Sequence, residues 1–237
     1  MKVLFIGPSI ASVSPDMSGL YVHPPAMQGD IAKAVLAGAT AIGLVDGYFD
    51  AVAAPWHKEI LYALDSGVAM LGSSSMGALR AAECAAYGMV PIGVVANAYA
   101  SGALDDDAAV ALTHGPAELG YPPLTEPMVD VVPTLEKLQA LGLMTEADHH
   151  AIRDHAAAIF FKDRTDAAIF SAPEHAALLA AYRAHRVNQK AEDALLLIDA
   201  LKALDNLRGP TTGLSPSSSL FARQVLPELL KSQTVTA

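Results

Sequence analysis

Apolar residues in the first half of the chain fall in short, nearly continuous runs separated by stretches of helical character. Residues 2–6, "KVLFI", are one such run and stop at the turn Gly7-Pro8-Ser9, as a strand buried on both faces does. Residues 10–23 show little periodicity and read as loop. A helix is expected over 29–37, followed in "GATAIGLVDG" by a strand near 41–45 that ends at Asp46-Gly47. Pro55 opens a helix through "WHKEILYALDSG" that Gly67 stops, "VAMLG" is a third strand and "MVPIGVV" a fourth. Strands alternating with helices of about ten residues are the pattern of a parallel sheet. The expected fold is therefore α/β: a Rossmann-like parallel sheet with flanking helices, followed by a mostly helical C-terminal part. Ligands of such sheets collect beyond the carboxyl ends of the strands. Gly7-Pro8-Ser9, Asp46-Gly47 and the turn from Ser73 to Gly77 should then converge on one crevice.

Beyond "DDDAAVALTHGPAELGYPPLTEP" the pattern turns helical, over about 127–141, 145–160, 173–184 and 188–204, with "LGLMT" and "FKDRTD" as joints. This suggests an α/β core over 1–126, a helical region over 127–208, and a linker and tail over 209–237. The last stretch holds "GPTTGLSPSSS" and then "LFARQVLPELLK", read as a linker followed by either a docking helix or a frayed end.

Composition narrows the function classes. Apolar residues make up 52% of the 237 and the mean hydropathy is +0.33, high enough to require a search for a membrane span. Residues 85–104 carry no charge, but Gly88, Pro91, Gly93, Asn97, Ser101 and Gly102 interrupt them, which suits a buried strand, turn and short helix better than a bilayer helix. The apolar run at the N-terminus is too short for a signal peptide, and a cytoplasmic location is expected. A net charge of −10 with no cluster of Lys and Arg argues against nucleic-acid binding. The single cysteine, Cys84, rules out an internal disulfide and a multi-cysteine metal site, and its place among alanines reads as buried packing.

The polar turn "GSSSMG" carries the most chemistry. It has the glycine spacing of a phosphate loop but Ala78-Leu79 where Lys-Ser/Thr should stand, and no GxGxxG occurs, so nucleotide binding is disfavoured. It is closer to the nucleophile elbow G-x-S-x-G, with serine in place of the first glycine. That arrangement puts Ser75 at a helix N-terminus, where free backbone N–H groups near Met76 and Gly77 can hold an oxyanion. Serine is also a preferred helix cap, so Ser74 and Ser75 are equally explained as caps. A serine nucleophile needs a base. His57, with Glu59 two residues on, and His114 in a loop are the histidine candidates, and Asp46 could orient a base or simply cap its turn. Arg80 and Glu83, three apart on one helix, could pair with each other or hold a carboxylate or thiocarboxylate. "DDD" at 105–107 reads as a solvated turn rather than a magnesium site. His149, His150 and His155 lack the HExxH pattern and read as surface residues, with Thr145 capping their helix. No metal site and no cofactor are expected.

The blocks "GPS", "PPAMQGD", "IGLVDGYF", "WHKEIL", "GSSSMGALRAAE" and "HGPAELGYPPLTEPMV" occur in this order, and together they resemble the TfuA-like family over roughly residues 3–130. The resemblance implies a partner of a YcaO-type enzyme in peptide backbone thioamidation during natural product (RiPP) biosynthesis. It further implies a hydrolase that releases sulfide from the C-terminal thiocarboxylate of a small ThiS-like sulfur carrier. On that reading Ser75 attacks the acyl carbon and His57 is the base, oriented by Glu59 or Asp46. Substrate contacts fall to Ser9, Asp46, Ser74, Met76, Gly77, Arg80, Glu83 and His114. The alternative is a noncatalytic adaptor that recruits or activates YcaO. Neither nucleic acid nor a membrane is an expected partner, and a homodimer is left open.

Overall fold

The computed structural model describes residues 1–48, 52–211 and 226–228. Most of the "GPTTGLSPSSS" and "LFARQVLPELLK" stretches therefore lies outside the described residues. Among the described residues five parallel strands form one sheet: β1 (Lys2–Phe5), β2 (Tyr21–His23), β3 (Ala41–Leu44), β4 (Ala69–Gly72) and β5 (Val90–Pro91), in the order β2-β1-β3-β4-β5. The order reverses between β1 and β3, and a doubly wound sheet opens its ligand crevice at such a point.

Alternation along the strands decides what covers each face. In β1, Val3 and Phe5 join a cluster with Ile31 of α1 (Asp30–Leu36), Ile60 of α2 (His57–Asp65) and Ala81 of α3 (Met76–Cys84). Leu4 and the following Ile6 point the other way, against Leu197, Ile198 and Leu201. Those residues belong to a long helix over Gln189–Ala203, described below, which returns to cover the sheet's second face. Fully burying each such aliphatic side chain contributes about 1.5–3 kcal/mol. A Cβ on Gly43 of β3 would lie 2.6 Å from the Leu197 side chain, and glycine there lets the helix approach.

Further helices among the described residues are α4 (Gly93–Ser101), α5 (Met128–Ala140), α6 (Glu146–Ala158), α7 (Asp166–Ile169), α8 (Leu178–Ala184) and α9 (Gln189–Ala203). Val131, Leu135 and Leu138 of α5 pack with Ile152 of α6 and Tyr182 of α8 in a second core beside the sheet.

Four sequence expectations are corrected. Residues 10–23 are not all loop, because Tyr21–His23 pair with β1; all three are exposed at the sheet edge, so no apolar pattern marks them. "MVPIGVV" is strand only at Val90–Pro91. Its Val94 and Val95 N–H groups donate to the Asp193 carboxylate at 3.0 and 2.8 Å, so α9 caps a helix start that β-branched residues would not favour by themselves. The helix expected over 173–184 is confined to Leu178–Ala184. His149 is buried rather than on the surface. Thr145 does cap its helix, accepting from Asp148 N at 3.1 Å. None of the helices among the described residues is long and apolar enough to cross a membrane.

Candidate functional site

Strand β4 ends at Gly72 and the chain passes through Ser73 and Ser74 to Ser75, the residue before α3. The turn is sharp: Ser74 has φ +62, a left-handed conformation that costs a serine about 1–3 kcal/mol and persists only where the surroundings impose it. Here they do. Ser73 Oγ donates to Asp193 O at 2.9 Å and Ser74 Oγ to Lys190 O at 2.8 Å, which fastens the turn to the first turns of α9. On the opposite side backbone meets backbone, since a Cβ on Gly77 would lie 1.7 Å from Leu44 O. Gly77 N–H donates to Val45 O at 3.1 Å.

With Ser73 and Ser74 both occupied, Ser75 is the serine that faces open space. It lines a cavity of about 530 Å³ together with Pro8, Asp46, Gly47, Tyr48, Val110, Leu112, Thr113, His114, Phe161, Lys162 and Lys190. Turns after β1, β3 and β4 thus meet around one volume. Asp46 accepts from Gly7 N and Ser9 N at 2.8 and 3.1 Å and from Ser9 Oγ at 2.7 Å, so it ties the first two turns together. His114 stands edge-on to Tyr121, with ring centroids 5.4 Å apart. Phe161 and Lys162 are brought in by the "FKDRTD" joint, which the buried Arg164 pins by donating to Ala156 O and Ile159 O at 2.9 and 3.0 Å.

The group that meets Ser75 is Lys190, in the first turn of α9. Its Nζ hydrogen-bonds Ser75 Oγ at 3.1 Å and donates to Val110 O at 2.8 Å. The side chain is 2% exposed. Burial pushes its ammonium below the ordinary lysine range, opposed in part by the carboxylates of Asp46 and Asp130. Asp130, near the start of α5, accepts from Lys190 N at 3.0 Å, and burial raises its carboxyl to about 7. Lys190 escaped the sequence reading because it lies 115 residues from Ser75 in a helix with no motif around it. One lysine among the buried positions of an otherwise amphipathic helix is the only trace it leaves.

Several sequence candidates sit elsewhere. His57 Nε2 is 2.7 Å from Glu83 Oε2, which also accepts from Arg80 at 2.7 Å. Arg80 further donates to Pro55 O at 2.9 Å. This trio joins α2 to α3, and none of its members lines the cavity. Glu59 is buried under α1, accepting from Trp56 N at 3.2 Å and Ala32 N at 3.5 Å, and desolvation raises its carboxyl. Met76 is buried against Gly47, Ser9 beneath Asp46, and Ser74 against α9. Cys84 is buried and its thiol is pushed up to about 11 by desolvation, which suppresses thiolate chemistry. No cluster of three or more His, Cys, Asp or Glu side chains suited to a metal occurs among the described residues.

A buried amine against a serine at a strand-to-helix elbow, beside a cavity, is an arrangement that can support acyl transfer, the hydroxyl attacking and the amine taking its proton. No curated protein matches the chain. The family described as TfuA-like protein matches residues 46–165, a span that includes Asp46, Ser75, His114 and Asp130. With just over half of its length matched, the chain belongs to the TfuA-like protein family.

Proposed function

We propose that this protein is a serine–lysine acyl hydrolase that frees sulfide from a thiocarboxylate carried on a small ThiS-like protein, for use by a YcaO-type enzyme in peptide thioamidation. The observation that carries the hydrolase reading is the Lys190 Nζ to Ser75 Oγ distance of 3.1 Å in a buried setting. Family membership supports the thiocarboxylate and the YcaO partner.

A desolvated lysine is neutral more readily than a solvated one. In that state one N–H donates to Val110 O and the lone pair accepts the Ser75 hydroxyl proton. Ser75 Oγ bonds to the thiocarboxylate carbon as its proton moves to Lys190. The positive end of α3 and the new ammonium face the tetrahedral oxyanion. The C–S bond breaks, sulfur leaves with the proton from Lys190 as hydrosulfide, and Ser75 keeps the acyl group as an ester. Water then adds to the ester, Lys190 takes its proton and returns it to Ser75 Oγ, and the carrier departs as a carboxylate. His57, Glu59, Arg80 and Glu83 have no part in this scheme.

The test is sulfide release from the thiocarboxylated carrier by the purified protein without YcaO. The wild type should release sulfide and Ser75→Ala should not. A wild type with no release at all would favour the adaptor role.

A further inference from the structure

The main cavity has a smaller neighbour. A pocket of about 90 Å³ shares Pro8, Leu112 and Lys190 with it but is otherwise lined differently. Its walls carry Ser9, Thr125, Glu126, Asp130, Arg186 and Asn188, and it reaches the exposed residues Ala11 and Ser12. The volume holds about three water molecules at about 30 Å³ each. Lys190 is therefore bordered by two spaces, one holding Ser75 and one lined by hydrogen-bonding groups.

We infer that the small pocket is a rear water and proton route to Lys190, serving the deacylation step while the acyl chain fills the main cavity. The inference rests on the hydrolase reading above. Hydrolysis of the Ser75 ester consumes one water. Its oxygen bonds to the acyl carbon, one proton passes through Lys190 to Ser75 Oγ as the ester bond breaks, and the proton of the resulting acid must leave. A carrier tail seated against Ser75 blocks the front cavity, whereas the rear pocket reaches Lys190 without crossing it. The charged groups facing the route suit proton passage. Asp130 lies on α5 and Glu126 in the segment before it, with Glu126 Oε1 accepting from Arg186 at 2.6 Å. Burial raises both carboxyls, that of Asp130 to about 7, with Arg186 opposing the shift at Glu126. At the outer end Asn188 Nδ2 donates to Ser12 Oγ at 2.7 Å.

The test plugs the outer end with Ser12→Phe and uses Ser12→Ala as control. Two probes are compared: thioacetate, which leaves the front open, and a short peptide thiocarboxylate, which fills it. With the peptide, Ser12→Phe should keep the initial burst of sulfide, fall about tenfold in steady-state release and accumulate an acyl group on Ser75 by intact mass. With thioacetate, and with Ser12→Ala on either probe, turnover should match the wild type. Peptide turnover in Ser12→Phe equal to the wild type, or an equal loss on both probes, would overturn the route while leaving the hydrolase reading intact. Absence of sulfide release from either probe by the wild type would instead reject the hydrolase reading, and the route with it.

Discussion

Lys190 Nζ lies 3.1 Å from Ser75 Oγ, although 115 residues separate them in sequence. Lys190→Met keeps much of the apolar stem and removes the amine. It should lower sulfide release by about 10³-fold or more, close to the effect of Ser75→Ala, and the double variant should lose little further, because the two groups act as a unit. Steady-state release assays on the three variants, with circular dichroism to verify folding, would check this. Near-additive losses would count against a shared step.

The pH profile follows from the same pair. The base must be neutral, and burial sets Lys190 below the ordinary lysine range, which is about 10.4. kcat/KM should rise with pH through a midpoint below that value. A rate that shows no rise with pH anywhere below the ordinary lysine range would disagree with a lysine base.

Asp130 gives a stability test of opposite sign. Its folded pKa is raised to about 7 from 3.8, so the folded state binds the proton more tightly than the unfolded one does. The associated stability is fully present below pH 3.8 and is lost as pH rises through about 7. Asp130→Asn keeps an acceptor for Lys190 N and cannot ionise. Its Tm relative to the wild type should therefore improve between pH 5 and pH 8, measured by thermal melts at several pH values.

His57 provides the contrast. Its side chain is 48% exposed beside Glu83, where such a pair contributes about 0–1 kcal/mol. His57→Ala should leave sulfide release within about twofold of wild type. A loss comparable to that of Lys190→Met would return the base assignment to the histidine.

Gly77→Ala should abolish folding or cost at least about 4 kcal/mol, because the added methyl meets Leu44 O at 1.7 Å. Expression yield and urea denaturation would measure it.

The parallel sheet and the serine elbow were legible in the sequence because both rest on local signals: short apolar runs, and small polar residues at the strand ends. The turns at Pro8, Asp46 and Ser75 follow from those runs alone, since the carboxyl ends of adjacent parallel strands must lie side by side. What escaped were features made by contacts distant in sequence. Helix α4 begins where Asp193 captures Val94 and Val95, and no residue near Gly93 announces that. His57 looked suitable because of its type, but its place on the outward side of α2 gives it Glu83 as a partner. Lys190 carries no motif and acquires its chemistry only from where α9 docks.

That docking has a consequence for the timing of activity. Ser73 and Ser74 hold the carbonyls of Asp193 and Lys190, so Ser75 and Lys190 are aligned by the contact that closes the sheet's second face. A chain emerging from the ribosome has all three strand-end turns long before it has residue 190. Until α9 arrives Ser75 lacks its Lys190 partner, and under the proposed function a half-made or partly opened molecule would leave its sulfur donor intact.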